Sequence, residues 1–157
     1  MNSDSLGRLL LTALVALVLT VLPLPPTLDL VRPPFLLLVV LFWSVNSPRT
    51  GGIAIGFFAG LMLDVFQGPV LGEHALALSL VTYITVREHQ RIRFKPAIQQ
   101  AMIVLAALIV YEIVLFMIDG WTGQAVASKQ RWVHPLTGAL IWPPAAAILA
   151  YGAGRRV

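Results

Sequence analysis

A chain of 157 residues that is 58% hydrophobic and only 11% charged departs from the soluble-domain norm, in which about a quarter of residues carry charge. Its net charge of +4 sits at the ends of apolar segments rather than on an aromatic-interleaved face, which argues against nucleic acid as a partner. Zero cysteines exclude disulfides, iron–sulfur clusters and thiolate zinc sites. Helical apolar segments recur along nearly the whole length. The expected fold is therefore all-α: one polytopic integral membrane domain over residues 1–157, with six transmembrane helices near 7–25, 33–46, 52–66, 69–86, 97–118 and 133–153.

The first apolar run, Leu9–Leu22, follows Arg8 and has the length of a signal peptide. No small-x-small cleavage site follows it, only Leu22-Pro23-Leu24-Pro25-Pro26, so it is read as a retained first helix. The prolines and Asp29 mark an exit loop. The second segment, 33–46, opens on Pro33 and Pro34, which suit a first helical turn. At about 1.5 Å per residue it reaches only roughly 21 Å, short of a ~30 Å hydrocarbon core. It either starts earlier, near Leu28, or thins the bilayer, or forms a re-entrant pair with the third segment. Asn46-Ser47-Pro48-Arg49-Thr50-Gly51 is a tight turn.

The third segment, 52–66, repeats Gly52, Gly56 and Gly60 every four residues, and the same step lands on Asp64. That spacing puts all four on one helix face. Small residues let backbones approach closely and intramembrane acids avoid lipid, so this stripe should face protein. After a Gln67-Gly68-Pro69 break the fourth segment, 69–86, opens on Gly72, Glu73 and His74 and carries Gly72, Ala75, Ser79 and Thr82 on a second small face, which makes the third and fourth segments the expected packed pair. Arg87 to Pro96 (REHQRIRFKP) is expected to be a charged connecting loop, in which Arg87, Arg91, Arg93 and Lys95 touch lipid head groups or a cytoplasmic protein. The fifth segment, 97–118, is long enough to span and carries Glu112. A polar loop from Asp119 to Trp132 lies between two interfacial tryptophans, Trp121 and Trp132. The sixth, 133–153, contains Pro143 and Pro144, which should kink it near 139–142.

Six spans put both termini on one side. With that side cytoplasmic, Arg8, Arg49, Arg87, Arg91, Arg93, Lys95, Arg155 and Arg156 lie inside; Arg32, Lys129 and Arg131 lie outside. This split of the 11 basic residues follows the positive-inside rule.

An aspartate at mid-bilayer costs about 2.5–3.5 kcal/mol, so Asp64 needs compensation. It is either hydrated or capped near the outer end of its helix, or buried in a polar contact that organises packing or a partner interface. Glu73 suits a helix first turn, and His74 is placed to pair with Asp64 across the turn. Glu112 and Asp119, seven residues apart on one face, fit an interhelical hydrogen bond or a proton or cation site. Neither His89 nor His134 has a useful spacing for a metal site with His74. Ser44, Ser47 and Ser79 have no base at motif spacing, and no phosphate-cradling loop appears. No enzyme, cofactor or metal is expected.

The run Arg32-Pro33-Pro34-Phe35-Leu36-Leu37-Leu38, then Phe42-Trp43, Pro48-Arg49-Thr50-Gly51, Gly56-Phe57, Gly60-Leu61-Met62-Leu63-Asp64-Val65 and Leu71-Gly72-Glu73-His74-Ala75-Leu76 resembles the rod shape-determining MreD family. The order and spacing of these pieces carry the likeness, over residues 32–83; Phe42 stands where the family pattern has a tyrosine. The resemblance implies a multi-pass protein of the bacterial inner (cytoplasmic) membrane with both termini cytoplasmic. It implies a non-enzymatic part in the elongasome, the machinery of lateral peptidoglycan synthesis that sets cell shape. The implied partners are MreC and, with it, MreB, RodA and a class B penicillin-binding transpeptidase. The family is also similar in helical layout to the substrate-binding subunits of energy-coupling-factor transporters, which supplies an alternative: a small-solute or vitamin-binding subunit. For the first reading the contact residues are Gly52, Gly56, Gly60, Asp64, Gly72, Glu73, His74 and Glu112, used in helix packing or partner binding.

Overall fold

The computed structural model describes residues 3–23, 25, 31–67, 70–123 and 129–152, with no strand among them. Among the described residues six α-helices follow one another: α1 (Ser3–Val21), α2 (Phe35–Asn46), α3 (Ile53–Gln67), α4 (Glu73–Arg93), α5 (Ala97–Thr122) and α6 (Val133–Gly152). A short 3-10 turn, Lys129–Trp132, leads into α6. The exit loop around Pro26 and Asp29, the Gly68-Pro69 break, the Lys129 side chain and the terminal Arg155 and Arg156 lie outside the described residues.

The organising element is α2. Ten consecutive residues, Leu36 to Val45, are buried, because α1, α3, α4 and α6 all pack against it. A helix apolar on every side is one enclosed on every side. Its 12 residues reach about 18 Å, and that shortness costs little in a helix whose walls meet protein rather than acyl chains.

Pairs of residues fix the helix directions. Ser5 Oγ lies 3.4 Å from Thr50 Oγ1, and Trp43 Nε1 donates to Thr12 Oγ1 at 3.0 Å, so α1 and α2 are antiparallel. Trp142 Nε1 donates to Gln100 Oε1 at 3.3 Å, while Gly138 packs on Leu108, which makes α5 and α6 antiparallel too. Gln67 Nε2 donates to the Thr20 carbonyl at 2.9 Å, tying the end of α3 to the end of α1.

Three helix boundaries correct the sequence reading. The charged stretch Arg87–Arg93 is not a loop; it forms the last two turns of α4, and only Phe94 to Pro96 connects to α5. The reason is local. Arg, Glu, Gln and Ile are adequate helix formers, the basic residues complement the negative end of the helix dipole, and nothing breaks the helix until the residues before Pro96. Likewise α5 runs on through Asp119 to Thr122 and stops at Gly123, which takes the left-handed conformation. The fourth helix starts at Glu73, after Gly72, rather than at Pro69. Helix α6 runs unbroken through Pro143 and Pro144.

The outward faces are apolar. Leu11, Leu14, Phe58, Val65, Met102, Met117, Leu140 and Ile148 are among the exposed large side chains. Soluble proteins rarely present contiguous apolar surface on this scale, and α5 and α6 are long and apolar enough to cross a membrane.

Candidate functional site

The glycine stripe of α3 faces α4. A Cβ at Gly56 would lie 2.5 Å from Thr82 Oγ1 and 2.9 Å from Thr82 Cβ; one at Gly60 would lie 2.5 Å from the His74 carbonyl oxygen and still closer to Ala75 Cα. Backbone meets backbone at Gly60, and the buried Thr82 fills the groove at Gly56. Gly52, at the start of the stripe, sees only the Pro48 carbonyl at ordinary contact distance. The close approach of α3 and α4 is therefore an internal feature of this chain.

That approach carries Asp64 under the first turn of α4. Its Oδ2 accepts from the amides of Gly72 at 2.9 Å and Ala75 at 3.2 Å; its Oδ1 accepts from the His74 amide at 2.8 Å and lies 2.9 Å from His74 Nδ1. The first amides of a helix have no partner within it. Gly72 occupies the N-cap position, with φ 101°, and has no side chain with which to cap. Asp64 supplies the missing acceptor from the preceding helix, and its negative charge sits at the positive end of the α4 dipole. A carboxylate with its side chain fully buried is thus compensated by three backbone donors and one imidazole.

A second polar group continues from the first. The His74 ring lies 6.2 Å from the Tyr111 ring on α5. Further along α5, Glu112, next to Tyr111, and Asp119, about two turns beyond, point at Arg131, which stands on the 3-10 turn before α6. Arg131 Nε is 3.3 Å from Glu112 Oε2, and its Nη1 donates to Asp119 Oδ2 at 2.5 Å. Glu73, only 3% exposed, lies beside Asp119, and its Oε2 has no hydrogen-bond partner. The arrangement clasps the ends of α3, α4, α5 and α6 together at one end of the bundle. Among the described residues no group of His, Asp or Glu is placed to hold a metal ion.

Of the residues singled out from sequence, Asp64, Glu73, His74 and Glu112 meet at this end, and Gly72 shapes the turn between them. Arg87, Arg91, Arg93 and Lys95 lie at the opposite end. Sequence reasoning counted Arg131 only as a topology charge. The signal that points to it is the seven-residue spacing of Glu112 and Asp119, which puts two acids on one apolar helix face and so demands a nearby cation.

The sequence profile of the family described as rod shape-determining protein MreD matches residues 4–151. The chain belongs to the MreD family. A relative, the rod shape-determining protein MreD of Haemophilus influenzae, is 28% identical over 129 residues, covering 82% of this chain and 80% of the relative. No solved structure matches the chain. The MreD match takes in all six helices, including the α5–α6 half that supplies Glu112, Asp119 and Arg131. The motif-level likeness over residues 32–83 is thereby extended to both sides of the polar clasp.

Proposed function

We propose that this protein is a non-enzymatic scaffold of the bacterial cell-elongation machinery, a single six-span domain of the inner membrane with both termini cytoplasmic, whose direct partner is MreC. MreB, RodA and a class B penicillin-binding transpeptidase join through that assembly. The observation that carries the reading is the MreD family match from residue 4 to residue 151. The chemistry supports it: Asp64, Glu112 and Asp119 are tied into capping and ion pairing between helices, which suits a rigid support rather than a reaction centre. Gly56 and Gly60, which the sequence offered to helix packing or to a partner, are occupied by α4, so partner contact falls to the exposed apolar faces. The short α2 fits a six-span bundle because its neighbours shield it, and the basic end of α4 lies on the cytoplasmic side under the positive-inside rule.

The test is co-purification of MreC with the tagged chain from bacterial membranes, together with depletion. Recovery of MreC and rounding of depleted rods are the expected results. Failure to recover MreC from cells that express both proteins at normal levels overturns the partner assignment. Reporter fusions that place the two termini on opposite faces overturn the topology.

A second reading is a solute-binding subunit with a layout similar to those of energy-coupling-factor transporters. The buried, unpartnered Glu73 Oε2 favours it. A vitamin panel screened by thermal shift decides: a ligand-specific rise in melting temperature supports this reading, and no shift across the panel removes it.

A further inference from the structure

The two helices that meet at the basic end are not in contact along their whole length. Between α4 and α5 runs an open furrow of about 320 Å³. Val81 and Ile84 of α4 line one wall, and Ala107 and Val110 of α5 line the other. Its mouth is formed by Glu88, Arg91 and Lys95. The furrow is thus greasy along its floor and charged at one end only.

One charged end against an otherwise apolar lining matches an occupant with one charged group and an apolar tail better than a transmembrane helix about 10 Å across, which is apolar along its whole length. An extended acyl chain is a narrower object, and the apolar walls suit it. The mouth then selects the head group. From Arg87 to Lys95 the chain carries four basic residues and one acid. The acid, Glu88, accepts from Arg91 Nη1 at 3.2 Å, but the Arg91 side chain is 82% exposed, and an exposed pair of this kind is weak and readily exchanged. Arg91 and Lys95 both line this end of the furrow, within reach of a phosphodiester bonded to the chain. Arginine suits that task because its planar donors match phosphate oxygens.

We propose that the α4–α5 furrow binds one phospholipid with an anionic head group, its acyl chain against Val81, Ala107 and Val110 and its phosphate held by Arg91 and Lys95. The inference rests on the membrane topology above, with the basic end at the inner leaflet, where anionic lipids give each nearby basic residue its attraction. It does not depend on the identity of the protein partner. The helical state of residues 87–93 matters to it: a loop would scatter these charges, whereas helix α4 sets Arg91 over the furrow and leads directly to Lys95.

The experiment is native mass spectrometry of the full-length protein released from detergent micelles, with phosphatidylglycerol or phosphatidylcholine of identical chains added. Wild type is expected to retain one phosphatidylglycerol in preference to phosphatidylcholine. Double reversal, Arg91→Glu with Lys95→Glu, is expected to weaken phosphatidylglycerol retention by about thirty-fold or more, given the contribution of each basic residue near a charged membrane. Reversal of Arg87 and Arg93, which carry the same charge but do not line the furrow, is expected to leave most of the preference intact. Ala107→Trp, which fills the floor, is expected to reduce retention of both lipids. Circular dichroism confirms that each variant keeps its helices; Arg91→Gln with Lys95→Gln replaces the reversal if it does not. Equal retention of the two lipids by wild type overturns the proposal. So does equal loss on reversing Arg87 and Arg93, which marks a diffuse charge effect, or full retention in Ala107→Trp, which marks head-group contact alone. None of these outcomes touches MreC recovery, so failure here and failure of the scaffold reading are separable.

Discussion

Replacing Asp64 tests whether one carboxylate from α3 holds the start of α4. In Asp64→Ala, the amides of Gly72, His74 and Ala75 and the His74 ring all lose their acceptor. Hydrogen bonds to a charged group contribute about 1.5–3 kcal/mol each, but they are not additive here, and removing the carboxylate also removes its desolvation penalty. The net cost is set at about 3–5 kcal/mol, the range for breaking one side of a buried charged arrangement. Asp64→Asn is the sharper variant. Its amide has the same shape but presents one oxygen and one NH2. Turned with the NH2 toward His74, it keeps Gly72 and Ala75, and the imidazole adapts by changing tautomer; the His74 amide cannot. One backbone donor and the charge–dipole attraction are lost, about 2 kcal/mol. For a chain of this length about 1 kcal/mol moves the melting temperature by roughly 2–4 °C. The asparagine variant should therefore melt about 4–8 °C below wild type, and the alanine variant further below. Thermal unfolding in detergent followed by tryptophan fluorescence measures both. Hydrogen exchange should speed up at the amides of Gly72, His74 and Ala75 before other helix starts are affected. An asparagine variant within about 2 °C of wild type, or an alanine variant no worse than asparagine, refutes the cap.

Three further expectations follow from the same geometry. Gly60→Ala puts a Cβ against the Ala75 backbone and should cost about 3 kcal/mol, at the upper end of overpacking; Gly56→Ala meets the Thr82 side chain instead. Combining Gly56→Ala with Thr82→Ala should recover most of the loss, and a melting-temperature cycle that shows no coupling contradicts the contact. Arg131→Gln strands the buried Glu112 and Asp119 carboxylates and should destabilise by about 3–5 kcal/mol, with Arg131→Lys recovering only part because a point charge cannot serve both acids from one fork; equal stability of lysine and arginine in thermal unfolding would count against the bridge. Gly72 has φ 101° and open space around its Cβ position, so Gly72→Ala should lose only the left-handed backbone penalty, about 1–2 kcal/mol, and a larger drop would show that a contact is involved.

The helical class of the chain was legible because apolar segments of helix length are bounded by prolines, glycines and charges, and the bilayer-scale hydrophobic run is a one-dimensional signal. The i, i+4 glycine repeat likewise announced a close helix contact, since the absence of side chains at one face is visible in the residue order alone. The second small face, Gly72, Ala75, Ser79 and Thr82, made the next helix the expected neighbour, but the residue order left a partner protein open as a second occupant. A stripe of glycines is equally suited to a neighbouring helix and to another protein. Only the antiparallel packing of α3 on α4, with Thr82 and Ala75 set against Gly56 and Gly60, assigns it to the same chain. The compensation of Asp64 was half legible: its pairing with His74 is an expectation the structure meets, but its other donors are backbone amides, which nearly every residue possesses and which no sequence pattern distinguishes. Arg131 needed the α5–α6 connection to fold back before it could reach Glu112 and Asp119, and the furrow between α4 and α5 exists only once two separately written helices are laid side by side. Periodicity fixes which residues share a face; the three-dimensional pairing of faces decides what each one meets.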